Sequence, residues 1–357
     1  MKKLFALILA GALAAGTLTA CGSTAVVAVP QPEESAPPAG ESTQVSTPEN
    51  SGAAVKTGYY LGTDISGSKS AAAEEEGVAQ ANLELVAVTV TDEGVIDDCV
   101  IDAIQSKINF DATGAITTDL TAPVLSKNEL GSNYGMVKAS SIGKEWNEQV
   151  QALADYVEGK TLEEIRGIAV TEEGKAGEAD LAASVTISIA GYLDAIEQAA
   201  ANATHLGARQ GDTLVLTTST DIAGSKDAGP EGDGTAQTYA TVAAITLNGD
   251  VITSCIIDAV QADVNFDTAG AVTTDLTAPV LSKNQLGDDY GMKKASSIGK
   301  EWYEQAAAFS AYVVGKTPEE VSGIAINEKG GAADADLAAS VTVSIGEFQA
   351  LVAKAGA

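Results

Sequence analysis

The chain is short of histidine, cysteine, aromatic residues and positive charge. It has one histidine, three cysteines, 4% aromatics, and 20 basic residues against 49 acidic ones in 357 positions. The single histidine, His205, argues against a histidine-based catalytic or metal site. A net charge of −29 argues against nucleic-acid binding, which needs basic side chains to neutralise phosphates, and against polybasic docking on anionic lipid. The chain contains no G-x-S-x-G, Walker A, C-x-x-C or H-E-x-x-H motif, and no EF-hand spacing. No segment beyond the N-terminal leader is long and apolar enough to span a bilayer. Hydrophobic residues still make up 45% of the chain, mostly Ala and Val, so a core of small side chains is expected.

The N-terminus points to a compartment. Met1-Lys2-Lys3 precedes an apolar run from Leu4 to Leu18, the layout of a secretory signal and too short for an ordinary spanning helix. The tetrad Leu18-Thr19-Ala20-Cys21 resembles a bacterial lipobox, which implies lipidation of Cys21. Two acyl chains on one residue suffice for stable anchoring. Residues 1–20 are therefore expected to be a lipoprotein signal peptide. Residues 21–56, rich in Pro, Ser, Thr and Glu, are expected to be a lipidated, disordered tether. The folded part would sit on the extracytoplasmic face of the cell membrane.

The remainder is one unit written twice. TTDLTAPVLSKN occurs at 117–128 and again at 273–284, and KASSIGKEW at 138–146 and 294–302. The offset is 156 from Cys99/Cys255 to Thr186/Thr342 and 157 upstream, at Asp64/Asp221. The odd residue falls in a turn, DEG at 92–94 against NGD at 248–250. A period this long is a domain duplication rather than a solenoid. Two α+β domains are expected, at 57–203 and 212–357, each a small antiparallel sheet with packed helices. In the first, strands are expected over 58–65, 83–91 and 95–104. Helices are expected from about Ser141 to Gly159, after a capping box at Thr161, and from Val185 to about Asn202. Cys99 and Cys255, one per copy, read as small buried thiols, with an interdomain disulfide as the alternative. His205, in the joint at 204–211, reads as solvated.

The chemistry is expected at the end of each copy. Asp180-Leu-Ala-Ala-Ser-Val-Thr186 and Asp336-Leu-Ala-Ala-Ser-Val-Thr342 run toward the last helix. Small residues and a Thr near a helix start suit a phosphate, because the backbone N–H groups there are unpaired and the helix dipole favours an anion. A plain helix N-cap is the competing reading of Thr186.

These tracts resemble the flavinylation motif of FMN-binding domains, Asp-x-x-Ser-Gly-Ala-Thr. Asp180 and Thr186, and Asp336 and Thr342, match at the family's spacing. Ala-Ser-Val, with Ser184 and Ser340, stands where the family has Ser-Gly-Ala. The strand–turn–strand cores VTVTDEGVIDDCVI and ITLNGDVITSCII also resemble the family. The loops holding Gly131 and Gly287 lie where the family has a Gly-rich loop against the flavin. With a lipobox and tether, the whole looks like the PplA-type lipoproteins of Gram-positive bacteria.

The resemblance implies two FMN groups, each joined to Thr186 or Thr342 by a phosphoester that a flavin transferase makes. It implies electron relay from a membrane NADH dehydrogenase and quinone pool to extracellular acceptors such as ferric iron. The protein would be a carrier rather than a substrate-specific enzyme. Tyr134 and Met136, with Tyr290 and Met292, are candidates to line the ring. Lys138 and Lys294 are candidates to offset phosphate charge, and Trp146 and Trp302 read as core residues. A rival Asp/Thr pair, Asp111 and Thr117 with Asp267 and Thr273, reads most simply as a turn feeding a strand. The competing function is a non-redox surface-binding or adhesion lipoprotein with a duplicated domain.

Overall fold

The computed structural model describes residues 52–357. The signal-like segment, Cys21 and most of the expected tether lie outside the described residues. The tether expectation is corrected at its end. Val55 is fully buried and its N–H donates to the Ala208 carbonyl at 3.0 Å, and Lys56 already belongs to the first strand.

The first half runs β1 (Lys56–Asp64), β2 (Gly77–Val90) and β3 (Ile96–Phe110), then α1 (Lys127–Leu130), α2 (Trp146–Val157), α3 (Leu162–Arg166), α4 (Ala179–Ala182) and α5 (Ala190–Ala201). Two short 3-10 turns, Gly131–Tyr134 and Met136–Lys138, follow α1. The second half repeats this order with β4 (Thr213–Asp221), β5 (Gly234–Asn248), β6 (Val251–Phe266), α6 (Lys283–Leu286), α7 (Trp302–Val313), α8 (Pro318–Ser322), α9 (Ala335–Ala338) and α10 (Gly346–Lys354). Each half forms a three-stranded antiparallel sheet, in the orders β1-β2-β3 and β4-β5-β6. The class is thus mixed α and β, with antiparallel sheets and packed helices as expected.

Strand alternation decides how the layers stack. In β2, Val86, Val88 and Val90 point toward α2 and α5 of their own half, in a core with Trp146, Leu153 and Ile196. The alternate residues Ala79, Ala81, Leu83 and Leu85 point the other way. There they meet Ala236, Ala240 and Val242 of β5 in a core drawn from both halves. β5 divides in the same way, with Ala243, Ile245 and Leu247 facing its own helices. The two sheets therefore pack inner face to inner face, with helices covering each outer face. The alanines on the inner faces let the sheets approach closely. Phe110 and Phe266, both fully buried, stack across the join with centroids 4.1 Å apart and planes within 4°.

Polar contacts cross the same join. Thr238 Oγ1 donates to Ser106 Oγ at 2.8 Å, and Thr57 and Ser254 share a buried hydroxyl pair at 2.8 Å. The rival turns are used here as well. Asp111 closes its own turn by accepting from the Thr113 and Ala115 amides. A Cβ on Gly114 would stand 2.8 Å from the Asp267 carbonyl, and one on Gly270 2.8 Å from the Asp111 carbonyl. Both glycines also adopt positive φ. The Gly in D-x-x-G-A-x-T thus meets the needs of a close backbone contact between the halves.

Among the described residues, no helix is long and apolar enough to cross a membrane. Cys99 and Cys255 are free and buried, as expected. His205 is about half exposed, and its Nε2 lies 3.0 Å from Asp92 Oδ1.

Candidate functional site

The expected helix start near Thr186 is corrected. α5 begins at Ala190, and Thr186 lies in the segment between α4 and α5. Ile189 donates its N–H to the Gly174 carbonyl, and Ser188 bridges Lys175, so the chain is pinned to a neighbouring loop rather than wound. Thr186 is therefore not an N-cap, and no α5 dipole acts directly on it.

What holds Thr186 is a buried amide. Gln149 is fully buried on the apolar face of α2. Its Oε1 accepts from Thr186 N at 2.8 Å, Thr186 Oγ1 at 3.1 Å and Ile187 N at 3.3 Å. Its Nε2 donates to Ser140 Oγ at 3.3 Å and to the Lys144 carbonyl at 3.2 Å. One side chain thus ties the Thr186 segment to the loop after Met136. The second half repeats the clamp. Gln305 Oε1 accepts from Thr342 N at 2.8 Å, Thr342 Oγ1 at 3.0 Å and Val343 N at 3.2 Å. Thr186 is half-buried and Thr342 exposed.

The other expected residues divide around this clamp. Asp180 and Asp336 sit in the short helices α4 and α9, exposed. Ser184 and Ser340 are half-buried, and their N–H groups donate to Leu181 and Leu337. Tyr134, Met136 and Met292 rest at the edge of the cores, while Tyr290 is 40% exposed. The loop of Met136 is fixed by Glu145, which accepts from the Met136 and Val137 amides, and Glu301 does the same for Met292 and Lys293. Gly131 and Gly287 end α1 and α6 at φ near 50° and ψ −123°, a region open only to glycine. Nothing stands within 4 Å of where their Cβ would be. Lys138 and Lys294 are exposed. Trp146 and Trp302 are buried core residues, as expected.

Two residue pairs were not anticipated from the sequence. Gln149 and Gln305 are polar residues on otherwise apolar helix faces, a signal present in the spacing Trp146, Gln149, Val150, Leu153. Lys127 and Lys283 open α1 and α6 and reach over aromatic rings. Lys127 Nζ lies 4.9 Å from the centroid of Tyr134 and 4.8 Å from Trp146; Lys283 Nζ lies 5.1 Å from Tyr290 and 4.8 Å from Trp302.

A cleft of about 530 Å3 opens beside Thr186, walled by Ser141, Ala182 and Val185 and rimmed by Glu172, Glu173 and Lys175. Its volume is in the range that small cofactors occupy. Its charge is unsuited to a free dianion. Lys175 is already paired with Glu173 at 3.2 Å, and the Thr186 and Ile187 amides are already taken by Gln149. A phosphate here would keep its place only through a covalent bond to Oγ1. Forming that bond would cost the Oγ1 hydrogen bond and leave the two amide bonds of the clamp intact. The residues thus fit a tethered phosphate and not a free one. Comparison of the chain with protein-family models, with curated proteins and with solved structures returned no match.

Proposed function

We propose that the chain comprises two tandem homologous FMN-binding-like domains, 57–203 and 212–357, of a lipid-anchored extracytoplasmic flavoprotein. Each carries FMN as a phosphoester, on Thr186 and on Thr342, set there by a flavin transferase. The protein relays electrons from a membrane NADH dehydrogenase and quinone pool to extracellular acceptors such as ferric iron. Attachment to the membrane is through Cys21.

The observation that carries this reading is the duplicated clamp. Two threonines at the same place in each repeat donate their hydroxyls to equivalent buried glutamines, and Thr186 lines an open cleft. Bound FMN supplies one- and two-electron redox chemistry. The chain's own residues do the rest. Gln149 and Gln305 fix the segment through two amide hydrogen bonds each, so the position of Oγ1 is set before modification. Glu172 and Glu173 leave a negative rim that disfavours free phosphate anions. The open space above Gly131 and Gly287 leaves those loops accessible to a planar ring.

A non-redox, duplicated binding module is favoured by one observation. The clamp satisfies the amides and hydroxyl of Thr186 without any cofactor. Coexpression with a flavin transferase separates the two. FMN on both threonine peptides, lost one at a time in Thr186→Ala and Thr342→Ala, supports the carrier. An unmodified protein beside an active transferase supports the binding module.

A further inference from the structure

The two halves pair their strands in the same register, but one equivalent position holds very different side chains. In β2, Asn82 pairs with Asp64 and Gln105; in β5, Tyr239 pairs with Asp221 and Gln261. The positions are equivalent, and so are the lysines that start α1 and α6. In the second half, Lys283 Nζ donates to Tyr239 Oη at 2.8 Å and sits 4.7 Å from the centroid of that ring. Tyr239, Tyr290 and Trp302 together enclose it, leaving Lys283 only 7% exposed. Burial pushes its ammonium down to about 8.

In the first half the enclosing ring is missing. Asn82 turns its Oδ1 to Gln80 and Gln105, accepting from both amides at 3.2 and 3.1 Å. A cleft of about 470 Å3 remains, lined by Tyr60, Asn82, Glu84, Gln105, Lys127 and Tyr192 among others. Tyr60 and Tyr192 stand where the second half has Thr217 and Phe348. The negative partner has changed sides. Glu84 on β2 replaces Thr241, while Gly191 on α5 replaces Glu347. A Cβ on Gly191 would stand 3.3 Å from Glu84 Oε1, so the carboxylate rests against that glycine. Lys127 and its cation–π partners Tyr134 and Trp146 are thus retained with an open side, where Lys283 has Tyr239.

We propose that the cleft over Lys127 is a binding site for a small hydroxylated aromatic ring. The ring takes the place that the Tyr239 side chain fills in the second half, and its oxygen accepts from Lys127 Nζ. The second half thereby carries a built-in copy of the bound state. This site is separate from the Thr186 cleft, and the proposal does not rest on flavin attachment.

The probe is p-cresol, the tyrosine side chain without its backbone, titrated into the full chain and followed by amide chemical shifts. Saturable binding is expected, with shifts confined to Tyr60, Asn82, Glu84 and Tyr192. Asn82→Tyr, which closes the cleft with the second half's own residue, is expected to weaken it at least tenfold. Lys127→Met is expected to do the same while leaving the fold intact. Toluene, which lacks the hydroxyl, is expected to bind at least tenfold more weakly. Tyr239→Asn is expected to create a second site of similar affinity. The proposal is overturned if p-cresol fails to saturate the unmodified chain, if Asn82→Tyr binds it equally well, or if toluene matches it. Any of these results stands whether or not Tyr239→Asn folds.

Discussion

Truncating Phe110 to alanine tests whether the two halves fold as one body. Phe110 and Phe266 are fully exposed to each other and hidden from water, stacked at 4.1 Å between the two sheets. Each ring also fills the space over a facing glycine. A Cβ on Gly77 would stand 2.4 Å from Phe110, and one on Gly234 2.5 Å from Phe266. Little near the ring can collapse into the void, so Phe110→Ala is expected to cost about 3–5 kcal/mol. Of this, about 0.5–1.5 kcal/mol belongs to the ring pair, so Phe110→Ala/Phe266→Ala should cost less than the sum of the single changes by that amount. At a slope of about 3 kcal/mol/M for urea, the midpoint moves down by roughly 1 M or more.

The assay uses the chain's two tryptophans, one in each half. Trp302→Phe leaves fluorescence reporting only on the first half, and Trp146→Phe only on the second. With a shared inner core, each single-tryptophan protein unfolds in one transition, and Phe110→Ala moves its midpoint by the same amount whichever tryptophan remains. A shift confined to the Trp146 signal would refute the argument, because it would mean that the halves unfold independently.

Three further outcomes follow from the same contacts. Gln149→Leu strands the Thr186 and Ile187 amides and is expected to destabilise the chain by about 2–4 kcal/mol, with faster hydrogen exchange at those two amides; unchanged exchange would show that the clamp is dispensable. Asp102 and Asp258 are raised by burial from 3.8 to about 6, so the folded chain binds their protons more tightly than the unfolded chain does. Their contribution to stability is present below about pH 4 and is lost as the pH rises through 6. Asp102→Asn should remove its own share of that decline, gaining up to about 3 kcal/mol relative to the unmodified chain between pH 4 and 7; parallel stability profiles would contradict this. Burial pushes the Cys99 and Cys255 thiols up, so both are expected to resist a disulfide reagent in the native state and to react only in denaturant; rapid native labelling of either would contradict their placement.

Local chemistry made much of the fold legible in the sequence. The hairpin around Asp92-Glu93-Gly94 lies between β2 and β3, and Thr161 forms a full capping box with Glu164. Strand lengths were harder to read. β2 reaches back to Gly77, a stretch not expected from the sequence because its inner-face Ala79 and Ala81 carry a weak strand signal. The helix expected from Val185 starts at Ala190, because Gly174 and Lys175 hold the segment at Ser188 to Ala190 from the side. The helix expected from Ser141 starts at Trp146, where Glu145 supplies the cap and also binds the Met136 loop. The stacking of sheet on sheet could not be read from one repeat. Leu85 to Val90 is apolar at nearly every position, which signals burial on both faces without naming the second partner. At the candidate site, the Asp/Thr spacing was visible in the sequence. The glutamine that organises it shows in the sequence only as a polar residue on an apolar helix face, and that pattern does not say which segment its amide binds.

The central claim is tested most directly on the protein isolated from its native membrane, by intact and peptide mass spectrometry beside an in-gel flavin fluorescence scan. The account predicts a fluorescent band and one FMN-sized addition on each of the peptides containing Thr186 and Thr342. Additions on Thr117 and Thr273 would contradict the site. An unmodified, non-fluorescent protein in a cell with an active flavin transferase would contradict the function.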